Sequence, residues 1–188
     1  MSEFEEIRDR FMRDFAMNAH DAGVTASSPE LAAYAEACMR EAARTGGGSK
    51  PVINLIAGEY LARVRELKIP LTELATKTIA PQALVKIAAL AVAGKVSAPS
   101  AKTLFNAAWD TGKDPDTLLN ALGLAQVSDP AQIEAWAKEA IAAQPKAAEA
   151  LKSGNEKALG PLVGLLLKTS GGKANPKLAG EIIKKLLS

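Results

Sequence analysis

A chain of 188 residues is long enough for one large domain or two small ones with a true core. Its 48% apolar content excludes disorder by composition, and its single cysteine excludes an internal disulfide framework and fits a reducing compartment. The net charge of +2 is uneven: residues 1–66 carry 8 basic and 11 acidic side chains, residues 67–145 carry 7 of each, and residues 146–188 carry 8 and 3.

The first segment, Ser2 to Asp14, is dense in both charge signs and lacks the charged-then-apolar order of a secretion signal. Ser28-Pro29 then opens a helix, "PELAAYAEACMREAA", whose small residues allow close helix approach. Cys38 lies in this amphipathic pattern. His20, the only histidine, stands near an expected turn beside Asp21. A Cys38–His20 nucleophile and base pair is conceivable from residue types alone, but an ordinary helix pattern explains Cys38, and one histidine rules out paired-histidine metal spacing. The carboxylate pairs Glu5–Glu6 and Asp114–Asp116 lack the apolar setting that drives two pKa values apart, so they read as exposed and capping acids.

"ARTGGGSK" from Ala43 and "LKIPLTE" from Leu67 interrupt the helical pattern, and arginine disappears after Arg65. The apolar stretches "KIAALAVAG" and "LGPLVGLLL" fall far short of the roughly 20 residues of a membrane span. Capping residues followed by proline recur at Asp114-Pro115, Asp129-Pro130 and Asn175-Pro176, with Ser97-Ala98-Pro99 a near variant; Gly94, Gly112, Gly123, Gly154 and Gly171 mark helix ends. In "AQIEAWAKEAIAAQ", Ile133, Trp136, Ala137, Ala140 and Ile141 share one face, and in "PKLAGEIIKKLL" Leu178, Ile182, Ile183 and Leu186 do so. No segment alternates with a period of two. The expectation is an all-α chain of nine or ten helices, with a helical segment at 1–68 and a two-lobed tail at 69–126 and 127–188.

Trp109 and Trp136 have the helical spacing of core residues, although aromatic stacking on bases is their other possible use. In "LLLKTSGGKANPKL", Gly171-Gly172-Lys173 invites comparison with a nucleotide loop, but Leu167 stands where that loop needs glycine, Ala174 where it needs Ser or Thr, and a helix leads in. The segment is a helix-to-helix turn whose backbone N–H groups and lysines can still meet an anion.

The series "GKV", "TGKDPDTLL", "GLAQVSD" and "QPKAAEALKSGNEKALGPLVGLLLKTSGGKANPKL" resembles the C-terminal region of the B subunit of the tRNA-dependent amidotransferase and the related YqeY proteins. "RFMRDFAMNAHDA", "SPELAAYAEA" and Asn54 with Glu59 in "VINLIAGEYL" resemble the helical segment before that tail. Leu55 stands where the family has tryptophan; Pro161, Leu165 and Leu167 stand where phenylalanine, glutamine and methionine are common. The family's large catalytic portion has no counterpart in this sequence.

The resemblance implies a noncatalytic, cytoplasmic module that binds tRNA at the outer corner of the L, in an enzyme making Gln-tRNA or Asn-tRNA. The host is either the amidotransferase B subunit or a glutaminyl-tRNA synthetase carrying the same tail. Expected partners are tRNA and the catalytic portion of the parent enzyme, with no cofactor, metal, membrane or DNA. The expected contacts are Lys168, Lys173, Asn175 and Lys177, with Lys152, Lys157 and Lys113 as a second ring. The other reading is a helical protein-interaction or assembly module that docks through the small-residue face of "LAAYAEACMREAA".

Overall fold

The computed structural model describes residues 2–188. Among them the chain is all-α, and its elements run as twelve helices, two or three more than the sequence pattern suggests. The difference lies in short elements: Pro70, itself extended, precedes a 3-10 turn and the four-residue helix α6 (Leu74–Lys77), which packs against α3 through the buried Leu74. The chain groups into two compact units, Met1–Ala93 with Ala98–Leu122, and Gly94–Ser97 with Gly123–Ser188.

The first unit contains α1 (Glu3–Phe15), α2 (Ala19–Thr25), α3 (Pro29–Arg44), a continuous helix made of α4 (Ser49–Leu55), a π turn at Ile56–Tyr60 and α5 (Leu61–Glu66), then α6, α7 (Pro81–Val92), α8 (Ala98–Thr111) and α9 (Pro115–Ala121). Starts follow local chemistry: Ser28 Oγ accepts from Leu31 N–H at 3.1 Å, and Asp114 Oδ2 accepts from Asp116 N–H at 2.9 Å. Leu31, Ala32, Ala35, Cys38 and Ala42 form the buried face of α3, which packs on α7. The Tyr34 and Tyr60 rings stack 4.3 Å apart, and Trp109 lies tilted against Tyr60 and Phe105 at 5.4 and 5.7 Å. Tyr34 O–H donates to the Ile79 carbonyl at 2.8 Å, joining residues on either side of the expected 1–68 boundary inside this one unit.

The second unit holds α10 (Pro130–Ala143), α11 (Pro145–Lys152), a 3-10 turn at Glu156–Ala158, α12 (Leu159–Thr169) and α13 (Pro176–Leu187). Helices α10, α12 and α13 close around Ile133, Ala137, Leu162, Leu166, Ala179 and Ile183, with Trp136 packed at the margin. Fully burying an aliphatic side chain of this kind contributes about 1.5–3 kcal/mol. Both tryptophans are therefore partly buried packing residues. Among the described residues no helix is long and apolar enough to cross a membrane.

Candidate nucleic-acid interface

Three chain segments that are distant in sequence meet in the second unit. Val127 N–H donates to the Lys173 carbonyl at 2.6 Å and the Val127 carbonyl accepts from Asn175 N–H at 3.0 Å, leaving Ala174 bridged and fully buried between them. One residue earlier, Gln126 N–H donates to the Lys95 carbonyl at 2.7 Å, and Gln126 Nε2 reaches the Ala174 carbonyl at 3.2 Å. The arrangement closes on Gly94, where an added Cβ would lie 3.5 Å from Asn175 Nδ2. These bonds fix the α12–α13 connection from outside.

The connection is also fixed from within. Helix α12 ends in a Schellman arrangement: Gly172 N–H donates to the Leu167 carbonyl at 2.8 Å and Gly171 N–H to the Lys168 carbonyl at 3.1 Å. Both glycines have left-handed φ values, 64° and 77°, which side-chain-bearing residues adopt at a cost. Lys173 N–H donates to the Ser170 carbonyl at 3.3 Å and Ala174 N–H to Ser170 Oγ at 3.1 Å. Asn175 Oδ1 accepts from Lys177 and Leu178 N–H at 3.1 and 3.2 Å and caps α13.

This ladder corrects one expectation. Every backbone N–H from Gly171 to Asn175 is spent inside the protein, so the glycine turn has no backbone donor for an anion; the helix expected to lead in is α12. Only side chains remain as contact groups.

The expected contact residues fall into three places. Lys168, in the last turn of α12, Lys173 in the connection and Lys177 in the first turn of α13 are all exposed at one end of the helix pair. Lys152 ends α11 and Lys157 sits in the 3-10 turn that enters α12, at that helix's other end; eleven residues separate Lys157 from Lys168, about 16 Å of helical rise. Lys113 belongs to the first unit, beside Asp114. None of these six lysines forms an ion pair among the described residues, whereas Lys184 holds Glu156 at 2.8 Å and Lys86 bridges Asp114 and Asp116. Asn175 is half-buried, its oxygen taken by the cap.

Lys177 carries a further signal. A cation in the first helical turn adds to the positive end of the helix dipole, an arrangement that costs about 0.3–1 kcal/mol where folding alone is concerned. The second unit as a whole has ten lysines against six carboxylates. The geometry thus gathers uncompensated positive charge on a rigid turn, the chemistry of a polyanion contact.

The nucleophile and base candidates lie elsewhere. Cys38 is fully buried in α3, and burial pushes its thiol up to about 12, so it is no thiolate near neutral pH. His20 lies exposed in α2. Among the described residues no group of three or more His, Cys, Asp or Glu side chains has a metal-binding arrangement.

A sequence profile described as the GatB domain matches residues 37–187. The chain belongs to the GatB domain family. Curated relatives share its sequence nearly end to end: the B subunit of the aspartyl/glutamyl-tRNA(Asn/Gln) amidotransferase of Elusimicrobium minutum is 39% identical over 180 residues, covering 96% of this chain. The proteins of the same name from Alkalilimnicola ehrlichii and Thermotoga maritima are 36% and 37% identical over 183 residues, 97% of this chain. The chain spans about 37% of the length of the first two relatives and 36% of the third, and it matches their C-terminal GatB/YqeY module.

Lys95 lies outside the expected set, yet its carbonyl is bonded into the same part of the second unit. Its segment, "GKV", belongs to the family series, but nothing in the local pattern shows that a two-helix connection reaches the α12–α13 turn of a GatB domain.

Proposed function

We propose that this GatB-domain chain is a noncatalytic tRNA-binding module of an enzyme that makes Gln-tRNA or Asn-tRNA, gripping the outer corner of folded tRNA by its phosphate path. The parent is an amidotransferase B subunit, as in the relatives, or a glutaminyl-tRNA synthetase bearing the same tail, and its catalytic portion is the second partner. The observation that carries the reading is the exposed trio Lys168, Lys173 and Lys177, without an ion pair among the described residues, on a turn whose Gly171–Asn175 N–H groups are all hydrogen-bonded. Lysine ammonium groups contact phosphate as point charges, which suits recognition of an RNA surface by contour. Lys152 and Lys157, at the far end of α12, supply a second contact zone, and Lys113 a third in the other unit.

The alternative of a protein-docking module rested on the small-residue face of α3. Ala32, Ala35 and Ala42 of that helix are buried within the first unit, so only the exposed Ala33, Ala37 and Ala43 are left to meet a partner.

The test is tRNA binding by the chain with Lys168, Lys173 and Lys177 changed together to Ala. Affinity falls, and the slope of log K against log salt flattens by about 0.7–0.9 for each phosphate that the variant no longer neutralises. Unchanged affinity and slope in a filter or mobility assay overturn the reading.

A further inference from the structure

We propose that Lys95 is a fourth member of the phosphate-gripping cluster at the α12–α13 turn. The inference rests on the tRNA-binding reading and extends it to a residue 73 positions before Lys168. Gly94–Ser97 lies in sequence between α7 and α8 of the first unit, yet it packs as part of the second. Its place there is set by hydrogen bonds. Gln126 and Val127 are consecutive residues in an extended segment, and successive N–H groups of such a segment point to opposite sides. The first takes the Lys95 carbonyl at 2.7 Å and the second the Lys173 carbonyl at 2.6 Å.

Lys95 and Lys173 therefore flank one short stretch of backbone. With neighbouring strands about 4.8 Å apart, their main chains lie roughly 10 Å from each other. The Asn175 amide closes the gap, since Nδ2 sits 3.5 Å from the position of a Cβ on Gly94. Gly94 itself has a left-handed φ of 67°.

The Lys95 side chain is exposed and has no carboxylate partner among the described residues. Val96, the next residue, is buried, which anchors the segment and leaves the lysine outside. Lys95 and Lys173 thus present two ammonium groups from backbones bonded to the consecutive residues Gln126 and Val127, with Lys177 four residues after Lys173 in the first turn of α13. Two flexible lysines whose main chains lie roughly 10 Å apart can reach the same phosphodiester or adjacent ones. Neither forms an ion pair among the described residues.

The experiment measures binding of a folded tRNA transcript to Lys95→Ala, Lys95→Arg and the Lys168, Lys173, Lys177 triple alanine variant across a salt series, with Lys86→Ala as the control outside the cluster. Lys95→Ala weakens binding several-fold at low salt and lowers the salt slope by about 0.7–0.9. Lys95→Arg, which keeps the charge, restores most of the affinity, and Lys86→Ala changes nothing. In the double variant Lys95→Ala with Lys173→Ala, the losses combine to less than their product, because the two ammonium groups share a phosphate path.

Melting followed by circular dichroism separates a binding loss from a folding loss, and the salt slope does not respond to a merely structural role. Lys95→Ala with unchanged affinity and slope overturns this inference. If the triple variant still loses binding in that case, the tRNA reading stands without Lys95; if neither variant loses binding, both fall.

Discussion

Val127 and Ala174 form an isolated parallel bridge, with Val127 bonded through its N–H to the Lys173 carbonyl and through its carbonyl to Asn175 N–H. Among the described residues, whose other regular structure is helical, this pair ties the α12–α13 turn to the segment ahead of α10. Val127→Pro removes the N–H and leaves the Lys173 carbonyl without its partner, at a cost of about 1–3 kcal/mol. Thermal melting shows the loss. Hydrogen exchange at Asn175 accelerates in the same variant while exchange in α3 does not; Asn175 protection equal to that of the parent chain contradicts a clamping role for the bridge.

Asn175 separates capping from RNA contact. Its oxygen accepts from two backbone donors of α13, so Asn175→Ala costs about 0.5–2 kcal/mol of stability, whereas Asn175→Ser retains most of the cap. If the residue acts on RNA only by holding Lys173 and Lys177 in place, Asn175→Ser binds tRNA like the parent chain. Calorimetry and a binding titration on the two variants check both statements.

Gly180 is buried in α13 against α12, which suggests that a side chain would not fit. The geometry says otherwise: an added Cβ would meet Leu159 Cδ2 at 3.7 Å and Val163 Cγ2 at 3.9 Å, both ordinary van der Waals distances. Gly180→Ala therefore stabilises by about 0.5–1 kcal/mol through helix propensity and a less flexible unfolded chain. A lower melting temperature for this variant shows that α12 and α13 need closer backbone approach than these distances indicate.

Leu166 tests the core beneath the lysine turn. It is fully buried among Ile133, Leu162 and Ile183, so Leu166→Ala removes about 2–5 kcal/mol, a change read directly by chemical denaturation. Leu122, 48% exposed, loses under about 0.5 kcal/mol on the same change. Similar losses at the two sites contradict the burial pattern.

What the sequence made legible was local. Ser28, Asp114, Asp129 and Asn175 each cap the helix their Ser/Asp/Asn-Pro dipeptide announces, because the donor and acceptor lie two or three residues apart. Gly94, Gly112, Gly123, Gly154 and Gly171 have positive φ for the same local reason. The hub joining Lys95, Gln126 and Lys173 was not legible, since it depends on pairings such as Gln126 with Ala174, 48 positions apart. Nor did composition reveal that the Gly171–Asn175 N–H groups are all occupied, because Ser170 Oγ and the Val127 carbonyl supply their acceptors only after the chain folds. The lysines were identified by type, but their sorting to opposite ends of α12 follows from helix length.

Alkaline stability reports on the aromatic and thiol interior of the first unit. Burial pushes the Cys38 thiol from 9.0 to about 12, raises Tyr60 from 10.0 to about 12 despite its hydrogen bond to Thr78, and raises Tyr34 as well. The folded state thus holds protons that the unfolded chain has released, so stability is intact below about pH 9 and falls as pH rises through the window from 9.0 to about 12. Each fully engaged group contributes a slope of about 1.4 kcal/mol per pH unit there. Cys38→Ala removes one group, so its denaturation midpoint declines less steeply with pH than that of the parent chain, although its stability near neutral pH is lower or equal. Thiol labelling in mildly alkaline buffer gives the companion measurement: Cys38 reacts only at the rate at which the first unit opens, and rapid labelling of the native protein excludes the buried thiol described above.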